Sequence, residues 1–234
     1  MQEQTRVLLD FPFPEERVFR YQAMQDVLHH LVNNPFEAFT QKELATVTDS
    51  DVSSVSRSVK LLEQTGVLDI GSGKPAQITI DQDHILGSDP LFSIPQREFR
   101  KPVQVFLDEL ADEVTVSDAV DELIGIILFG SVARGSADRS SDIDLLVIVN
   151  GDLTYGRRIA SQLARTLEER TIRGERYQFE VLIETPESIT SHGEKLRDIF
   201  DEGIVLERTE ALETVREAVY QSERRREPDG DHAR

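Results

Sequence analysis

Two carboxylates, Asp142 and Asp144, stand two positions apart beside a strongly apolar run. Asp144 leads directly into the segment LLVIV, which is typical of a buried strand. Side chains two positions apart on a strand point to the same face, so both carboxylates should share one side of it. Like charges this close repel each other, and a divalent cation removes that cost. A cluster of hard oxygen ligands suits magnesium or manganese, which also accept substrate phosphates as ligands.

A small polar pair, Gly130 and Ser131, follows another apolar run, Leu123 to Phe129, that also predicts a buried strand. Glycine lets the chain approach a phosphate closely, while backbone N–H groups and a hydroxyl at a strand-to-helix junction can hold its oxygens. Arg134 lies in the first turn of the helix predicted there and is a candidate phosphate contact. The region therefore offers groups for a metal and for the phosphate that the metal would bind.

The pattern of Gly-Ser, ten residues and then Asp-x-Asp resembles the DNA polymerase β-like nucleotidyltransferase superfamily, and most of all the minimal nucleotidyltransferases of prokaryotes. The resemblance covers about residues 100–210. It implies metal-dependent transfer of a nucleoside monophosphate from an NTP to a hydroxyl. Asp142 and Asp144 would hold one or two magnesium ions, and Gly130 and Ser131 would hold the β- and γ-phosphates. The acceptor would be a small molecule or a protein, since many minimal nucleotidyltransferases are antitoxins that modify a toxin encoded alongside.

The family has a third carboxylate on a later strand, in an apolar–acidic–apolar setting. Glu180, between Phe179 and Val181, fits this setting and would complete the metal site or act as a general base. Glu184 is the rival, but it precedes Thr185-Pro186, which is typical of a strand end, and it could replace Glu180 only through a bulge. A simpler interpretation of Glu180 is a cross-strand salt-bridge partner at a sheet edge.

The preceding residues, 21–85, carry the pattern of three short helices and a β-hairpin. A capping box at Thr40 and Glu43 marks the start of the second helix. The Gly-rich stretch Gly71 to Pro75 separates two short apolar runs and predicts the hairpin. The predicted buried stripe of the third helix is Val52, Val55, Val59 and Leu62. This order of elements resembles a winged helix-turn-helix domain, fused here to the amino-terminal side of the nucleotidyltransferase-like region.

In winged-helix domains the third helix enters the major groove of DNA and the wing touches the backbone. The candidate DNA contacts are the polar residues of that helix and the wing tip, namely Ser53, Ser54, Ser56, Arg57, Lys60 and Lys74. From Arg20 to Asp83, however, five basic residues stand against nine acidic ones, and non-specific DNA affinity comes largely from basic contacts. Winged helices also serve in dimerisation and protein docking. DNA, a cognate toxin and a second copy of the chain are therefore all candidate partners.

These patterns predict an α+β protein of two small domains. We expect an N-terminal arm at residues 1–20, the winged helix-turn-helix domain at 21–85, a linker at 86–101 and the nucleotidyltransferase domain at 102–221. The second domain should contain a short mixed sheet flanked by helices, and Pro102 should occupy the first position of its first helix. Residues 222–234 are charged and without apolar periodicity, which predicts a disordered tail.

The amino-acid composition indicates in which compartment the protein works and which kinds of site it lacks. The 234 residues include 44 Asp and Glu against 26 Lys and Arg, a formal net charge of −18, and no cysteine, which excludes disulfides and thiolate zinc sites. The sequence contains neither a membrane-spanning run nor a signal peptide, so we expect a cytoplasmic protein that does not contact membranes. Only 5 of the basic residues are Lys. This acidic, Lys-poor composition resembles that of proteins from salt-in halophiles, and it predicts a haloarchaeal origin.

A second function fits the same patterns: a DNA-binding transcriptional regulator whose nucleotidyltransferase domain only senses nucleotides. The presence of all three motif carboxylates favours an enzyme over such a regulator. A template-directed polymerase is disfavoured, because no long insert for a templating domain is found in the sequence.

Overall fold

The computed structural model describes residues 5–13, 19–86, 89–116, 120–191 and 193–224. The chain divides between Phe92 and Ser93 into two units, each with its own core. None of the helices in the described ranges combines the length and the apolar composition that crossing a bilayer requires.

The first unit contains the predicted order of three helices and a hairpin, together with a further pair of short strands. Its elements are β1 (Arg6–Val7), α1 (Gln22–Asn33), α2 (Gln41–Val47), α3 (Val52–Glu63), β2 (Leu68–Ile70), β3 (Ile78–Ile80) and β4 (Ile85–Leu86). The pairs β2–β3 and β1–β4 are both antiparallel. Its assignment to the winged-helix class stays a prediction.

Local capping fixes where the helices of this unit begin. The Thr40 side chain accepts a hydrogen bond from the Glu43 amide, and the Glu43 carboxylate accepts one from the Thr40 amide, which is the predicted capping box. Asp51 caps α3 by accepting from the Ser54 amide. The predicted buried stripe of α3 was wrong at its first position: Val52 is 51 % exposed, whereas Ser58 is fully buried. Position 52 lies in the first turn, where the helix does not yet face the core.

Residues predicted as a separate arm belong to the first unit. Strand β1 pairs with β4, the Leu8 amide donates to the His84 carbonyl at 2.7 Å, and the Asp10 amide donates to the Thr65 carbonyl at 2.9 Å. The sequence did not predict this pairing, because the contacts join positions that are far apart in the sequence and a two-residue strand is too short to show alternation of apolar and polar residues.

The second unit is built on a four-stranded sheet, which is mixed as predicted. Its strands are β5 (Val120–Phe129), β6 (Ile143–Gly151), β7 (Phe179–Glu184) and β8 (Ile204–Arg208), in the order β7-β6-β5-β8. Strands β6 and β7 are parallel, while β5 runs antiparallel to both of its neighbours. The helices are α4 (Arg100–Val116), α5 (Gly130–Arg134), α6 (Leu153–Glu168), α7 (Pro186–Ser191), α8 (Gly193–Glu202) and α9 (Glu210–Arg224).

Helices cover both faces of this sheet. On one face, Ile127 and Leu146 of the central strands pack with Phe200 of α8 and Val215 of α9. The other face is lined by α4 and α6, and Phe106 of α4 stacks on Phe179 of β7 with ring centroids 5.6 Å apart. Burial on both faces explains why the central strands are almost continuously apolar.

Two predicted boundaries in this unit were wrong. Helix α4 begins at Arg100, after a short 3₁₀ turn at Arg97–Phe99, so Pro102 is its third residue. Proline is tolerated there because the first amides of a helix have no intrahelical acceptor. Helix α9 continues to Arg224, so the first residues of the predicted disordered tail are helical, while 225–234 lie outside the described residues.

Candidate active site

Asp144 and Glu180 are direct neighbours on the two parallel strands. The register of β6 and β7 pairs Asp144 with Glu180, and residues paired in this way project to the same face from strands about 4.8 Å apart. The Ile143 amide donates to the Gln178 carbonyl at 2.9 Å, which ties the beginnings of the two strands together. Asp142 lies immediately before β6 rather than within it.

Gly130 brings the end of β5 against the Asp144 carboxylate. Strand β5 pairs Phe129 with Asp144, so the next residue lies beside that carboxylate. Gly130 has a φ of +71°, and a Cβ built on it would lie only 1.9 Å from Asp144 Oδ2. Position 130 therefore requires glycine for two reasons: the backbone is left-handed there, and there is no room for a side chain.

The helix predicted after Gly130 is a single turn. Helix α5 has five residues, is anchored by buried Val132 and Ala133, and ends at Gly135 with a φ of 71°. Ser131 is half-buried in this turn. Arg134 is exposed, and its Nη1 lies 3.7 Å from Oε2 of Glu202 at the end of α8. Sequence reasoning missed Glu202, because no motif links it to the site.

The three carboxylates act on one another electrostatically. The pKa of Asp144 is raised from 3.8 to about 6, first by burial and then by the charges of Glu180 and Asp142, while the Arg134 guanidinium opposes the rise. Negative charge is thus only partly compensated by the protein itself. A cation placed here would relieve the repulsion.

The donor set fits a hard divalent cation, although the ligand cage is not preformed. All three candidate ligands are carboxylates, which suit magnesium or manganese. Within the described ranges, no three His, Cys, Asp or Glu side chains are placed to hold a metal ion together. A bound metal would therefore need side-chain rotation, or would draw its remaining ligands from water and substrate phosphate, as magnesium commonly does.

Glu184, the rival to Glu180, lies at the other end of β7. It pairs with Ile148 on β6, and its Oε1 lies 3.8 Å from Nη2 of Arg157 on α6. Four positions along a strand span about 13 Å, so this carboxylate is separated from Asp144 and has a cationic neighbour of its own.

The candidate DNA contacts lie in the first unit. Ser53, Arg57 and Lys60 are on the exposed side of α3, and Ser54 and Ser56 are half-exposed. Lys74 is exposed in the β2–β3 connection. Arg57 donates to the Ser53 carbonyl at 3.2 Å, and its guanidinium lies 5.6 Å from the centre of the Tyr21 ring. Ser53 and Ser54 both donate to Asp51, which places an anion beside this surface.

Residues 107–206 match the family model of the nucleotidyltransferase domain. The matched stretch includes β5, β6 and β7 with Gly130, Asp142, Asp144 and Glu180, so the family resemblance of this region is supported. It covers fewer than half of the 234 residues and none of the first unit. No curated protein and no solved structure gives a significant match to the chain. General nucleotidyl transfer is the activity that the nucleotidyltransferase domain indicates.

Proposed function

We propose that this protein transfers a nucleoside monophosphate from an NTP to a hydroxyl acceptor, with magnesium or manganese as cofactor. The observation that carries the proposal is the paired register of Asp144 and Glu180, with the Asp144 carboxylate against the backbone of Gly130. This arrangement gathers candidate metal ligands beside a segment that a phosphate could approach.

Each residue has a distinct role in this proposal. Asp142, Asp144 and Glu180 would hold the cation, and Glu180 would also accept the proton of the attacking hydroxyl. Backbone groups at Gly130, the Ser131 hydroxyl and the Arg134 guanidinium would hold phosphate oxygens. The metal, when bound, would offset charge on the triphosphate and on the leaving pyrophosphate.

The deciding experiment compares the wild-type protein with Asp142→Asn/Asp144→Asn. Both are incubated with α-³²P-labelled NTPs and cell extract, with and without magnesium, and labelled products are separated. We expect a labelled product only from wild type and only with the metal. Labelling that persists in the double variant, or that needs no divalent cation, would contradict the proposal. Arg158→Gln/Arg165→Gln, which changes exposed residues of α6, is the matched control.

The antitoxin role is a narrower form of this function, in which the acceptor is a cognate toxin protein. It rests on the resemblance to minimal nucleotidyltransferases. Co-expression with the product of an adjacent gene, followed by mass spectrometry, tests it: a nucleoside monophosphate adduct on that protein supports the role, and an unmodified partner opposes it.

A regulator that binds DNA and senses nucleotides is the second candidate. The observation that favours it is the exposure of Arg57 and Lys60 on α3, the helix that would enter the major groove. The same surface could instead join two copies of the chain. Light scattering and DNA mobility-shift measurements on the same sample distinguish a homodimer from a DNA-binding monomer.

A further inference from the structure

Helix α8 ends on two carboxylates, Asp201 and Glu202, and its last turn contains no basic residue. The C-terminal end of a helix carries partial negative charge, so carboxylates there cost stability unless cations lie close. Asp201 has partners on α8 and α9: Arg197 Nε lies 3.4 Å from its Oδ2, and the Tyr220 hydroxyl donates to it. Glu202 meets a cation from a different segment, the guanidinium of Arg134 on α5.

Helix α8 packs on the face of the sheet to which the candidate metal ligand Asp144 projects. Asp144 shares its side of β6 with Leu146 and Ile148, since side chains two positions apart on a strand point the same way. Leu146 and Ile148 belong to the same buried core as Leu196 and Phe200 of α8. The last residue of α8 therefore approaches α5 from the side on which a metal and a triphosphate would be bound.

Close packing fixes the end of α8 against β5. A Cβ built on Gly203, which follows the helix, would lie 2.4 Å from Ile127 Cγ2 and 3.0 Å from the Leu128 carbonyl oxygen. Position 203 thus has no room for a side chain, and strand β8 pairs with β5 from this point onwards. Because Leu128 lies two residues before Gly130, the backbone that carries Glu202 has a fixed place beside the start of α5.

Arg134 lies within reach of two anionic groups. Its Nη1 is 3.7 Å from Glu202 Oε2, and its charge opposes the rise in the pKa of Asp144. A guanidinium has five N–H donors in a planar fork, so one edge can face Glu202 while other donors face a phosphate. At 3.7 Å the contact is an ion pair rather than a hydrogen bond, and both side chains are more than half exposed. Such pairs add little to stability, so removal of this one should leave the fold intact.

We propose that Glu202 is a positioning residue, which holds the Arg134 guanidinium beside the candidate active site in the orientation that binds the triphosphate. The inference rests on the proposed nucleotidyl transfer. A long, exposed arginine side chain loses rotational freedom when it binds a phosphate, and this loss weakens binding. Glu202 reduces the loss, because it restricts the guanidinium before the nucleotide arrives. Glu202 acts through Arg134 and does not itself touch the nucleotide.

The direction of the effect of Glu202→Gln separates positioning from simple charge repulsion. If Glu202 only repelled the triphosphate, its neutralisation would tighten nucleotide binding, since one negative charge near the site is lost. A positioning role predicts weaker binding instead. Glu213→Gln is the matched control: it removes the same charge from another exposed ion pair of this unit, in which Glu213 Oε1 lies 3.4 Å from Arg208 Nε.

Calorimetry on the full chain, with magnesium and each NTP at matched KCl, tests the proposal. We expect Arg134→Gln to bind the NTP about tenfold more weakly than wild type, and Glu202→Gln about three- to tenfold more weakly. The double variant should bind no more weakly than Arg134→Gln alone, because the two residues act as one unit. The loss should be the same for every NTP that wild type binds, since Arg134 contacts phosphate and not the base. Glu213→Gln should bind as wild type does.

The same titrations separate this inference from the proposed function. Failure of wild type to bind any NTP would count against the proposed function, on which the role of Glu202 depends. Normal binding by wild type, with Glu202→Gln binding equally well or more tightly, would overturn the role of Glu202 alone, and so would fully additive losses in the double variant. If Glu202→Gln melts earlier than Glu213→Gln, Glu202→Asp is measured as well. This variant keeps the charge and should recover part of the affinity; no recovery would also overturn the proposal.

Discussion

The Asp144 carboxylate contributes to the pH dependence of the metal-free protein's stability. Its pKa in the folded state is about 6, against 3.8 as an ordinary value. A raised pKa means that the folded state favours the protonated form, so stability is lost as pH rises from about 4 through 6. Asp144→Asn removes this effect. A pKa shift of this size would correspond to about 3 kcal/mol of unfolding free energy for a fully buried group. Asp144 is partly exposed to solvent, so we expect the variant to gain about 1 kcal/mol of stability.

Thermal melts of wild type and Asp144→Asn without metal check this expectation. At pH 7.5 the variant should melt about 2–4 °C higher, and the difference should vanish towards pH 4. Added magnesium should stabilise wild type and leave the variant almost unchanged, because a ligand stabilises only the fold that binds it. A variant that is less stable at every pH would instead assign Asp144 a purely structural role.

Gly130 allows a close approach that a side chain would block. We expect Gly130→Ala to abolish NTP binding, measured by calorimetry with magnesium, because its Cβ would overlap Asp144. Ser131→Ala should weaken binding by less than about tenfold, since backbone donors remain. Gly174→Ala is the control: its φ is +88°, and nothing lies within 4 Å of its added Cβ. Equal effects of the two glycine substitutions would show that backbone strain alone is responsible.

At the scale of elements, β7 carries two carboxylates of matched orientation. Glu180 and Glu184 are an even number of residues apart on the strand, but only Glu180 pairs with Asp144. We expect Glu180→Gln to lower metal-dependent transfer by roughly a hundredfold or more. Glu184→Gln should change it less than about threefold, since only an ion pair with Arg157 is lost. Labelled-product assays on both variants test this expectation. Similar losses of transfer in the two variants would refute the assignment of Glu180 to the metal site.

Helix α3 tests whether the first unit contacts DNA. If it does, Lys60→Ala and Arg57→Ala should each reduce the slope of log affinity against log salt by about one. Lys42→Ala on α2 serves as the control, since Lys42 is exposed on a different helix. Lys60 is the cleaner probe, because Arg57 also contacts Ser53 and Tyr21. The affinities are measured by mobility-shift assays with promoter DNA. If no shift occurs at any salt concentration, protein docking or dimerisation remains as the role of the first unit.

Much of the second unit could be predicted because its signals are local. The apolar runs of β5 and β6, the spacing of Asp142 and Asp144, and the setting of Glu180 all follow from neighbours in the sequence. The pairing of β1 with β4 could not be predicted, because it joins segments that are distant in the sequence. The start of α4 was missed because Pro102 fits both the first and the third helical position.

At the scale of the whole molecule, the net charge of −18 predicts a strong dependence of stability on salt. Repulsion among the carboxylates should destabilise the folded state at low ionic strength. Added salt shortens the range of this repulsion and should therefore stabilise the fold. We expect the melting temperature to rise steadily as KCl increases from about 0.1 M, where the Debye length is about 10 Å, to above 1 M. Differential scanning fluorimetry across KCl concentrations checks this. A flat response would argue against the predicted adaptation to high salt.

The parallel pairing of β6 and β7 also affects how the protein is made. Parallel neighbours need a long crossover, and here α6 lies between the strands that carry Asp144 and Glu180. As the chain leaves the ribosome, Asp142 and Asp144 emerge well before their partner strand. Until β7 docks, the nascent protein has only part of its proposed catalytic centre. The proposed activity therefore requires that β7 has already docked on β6.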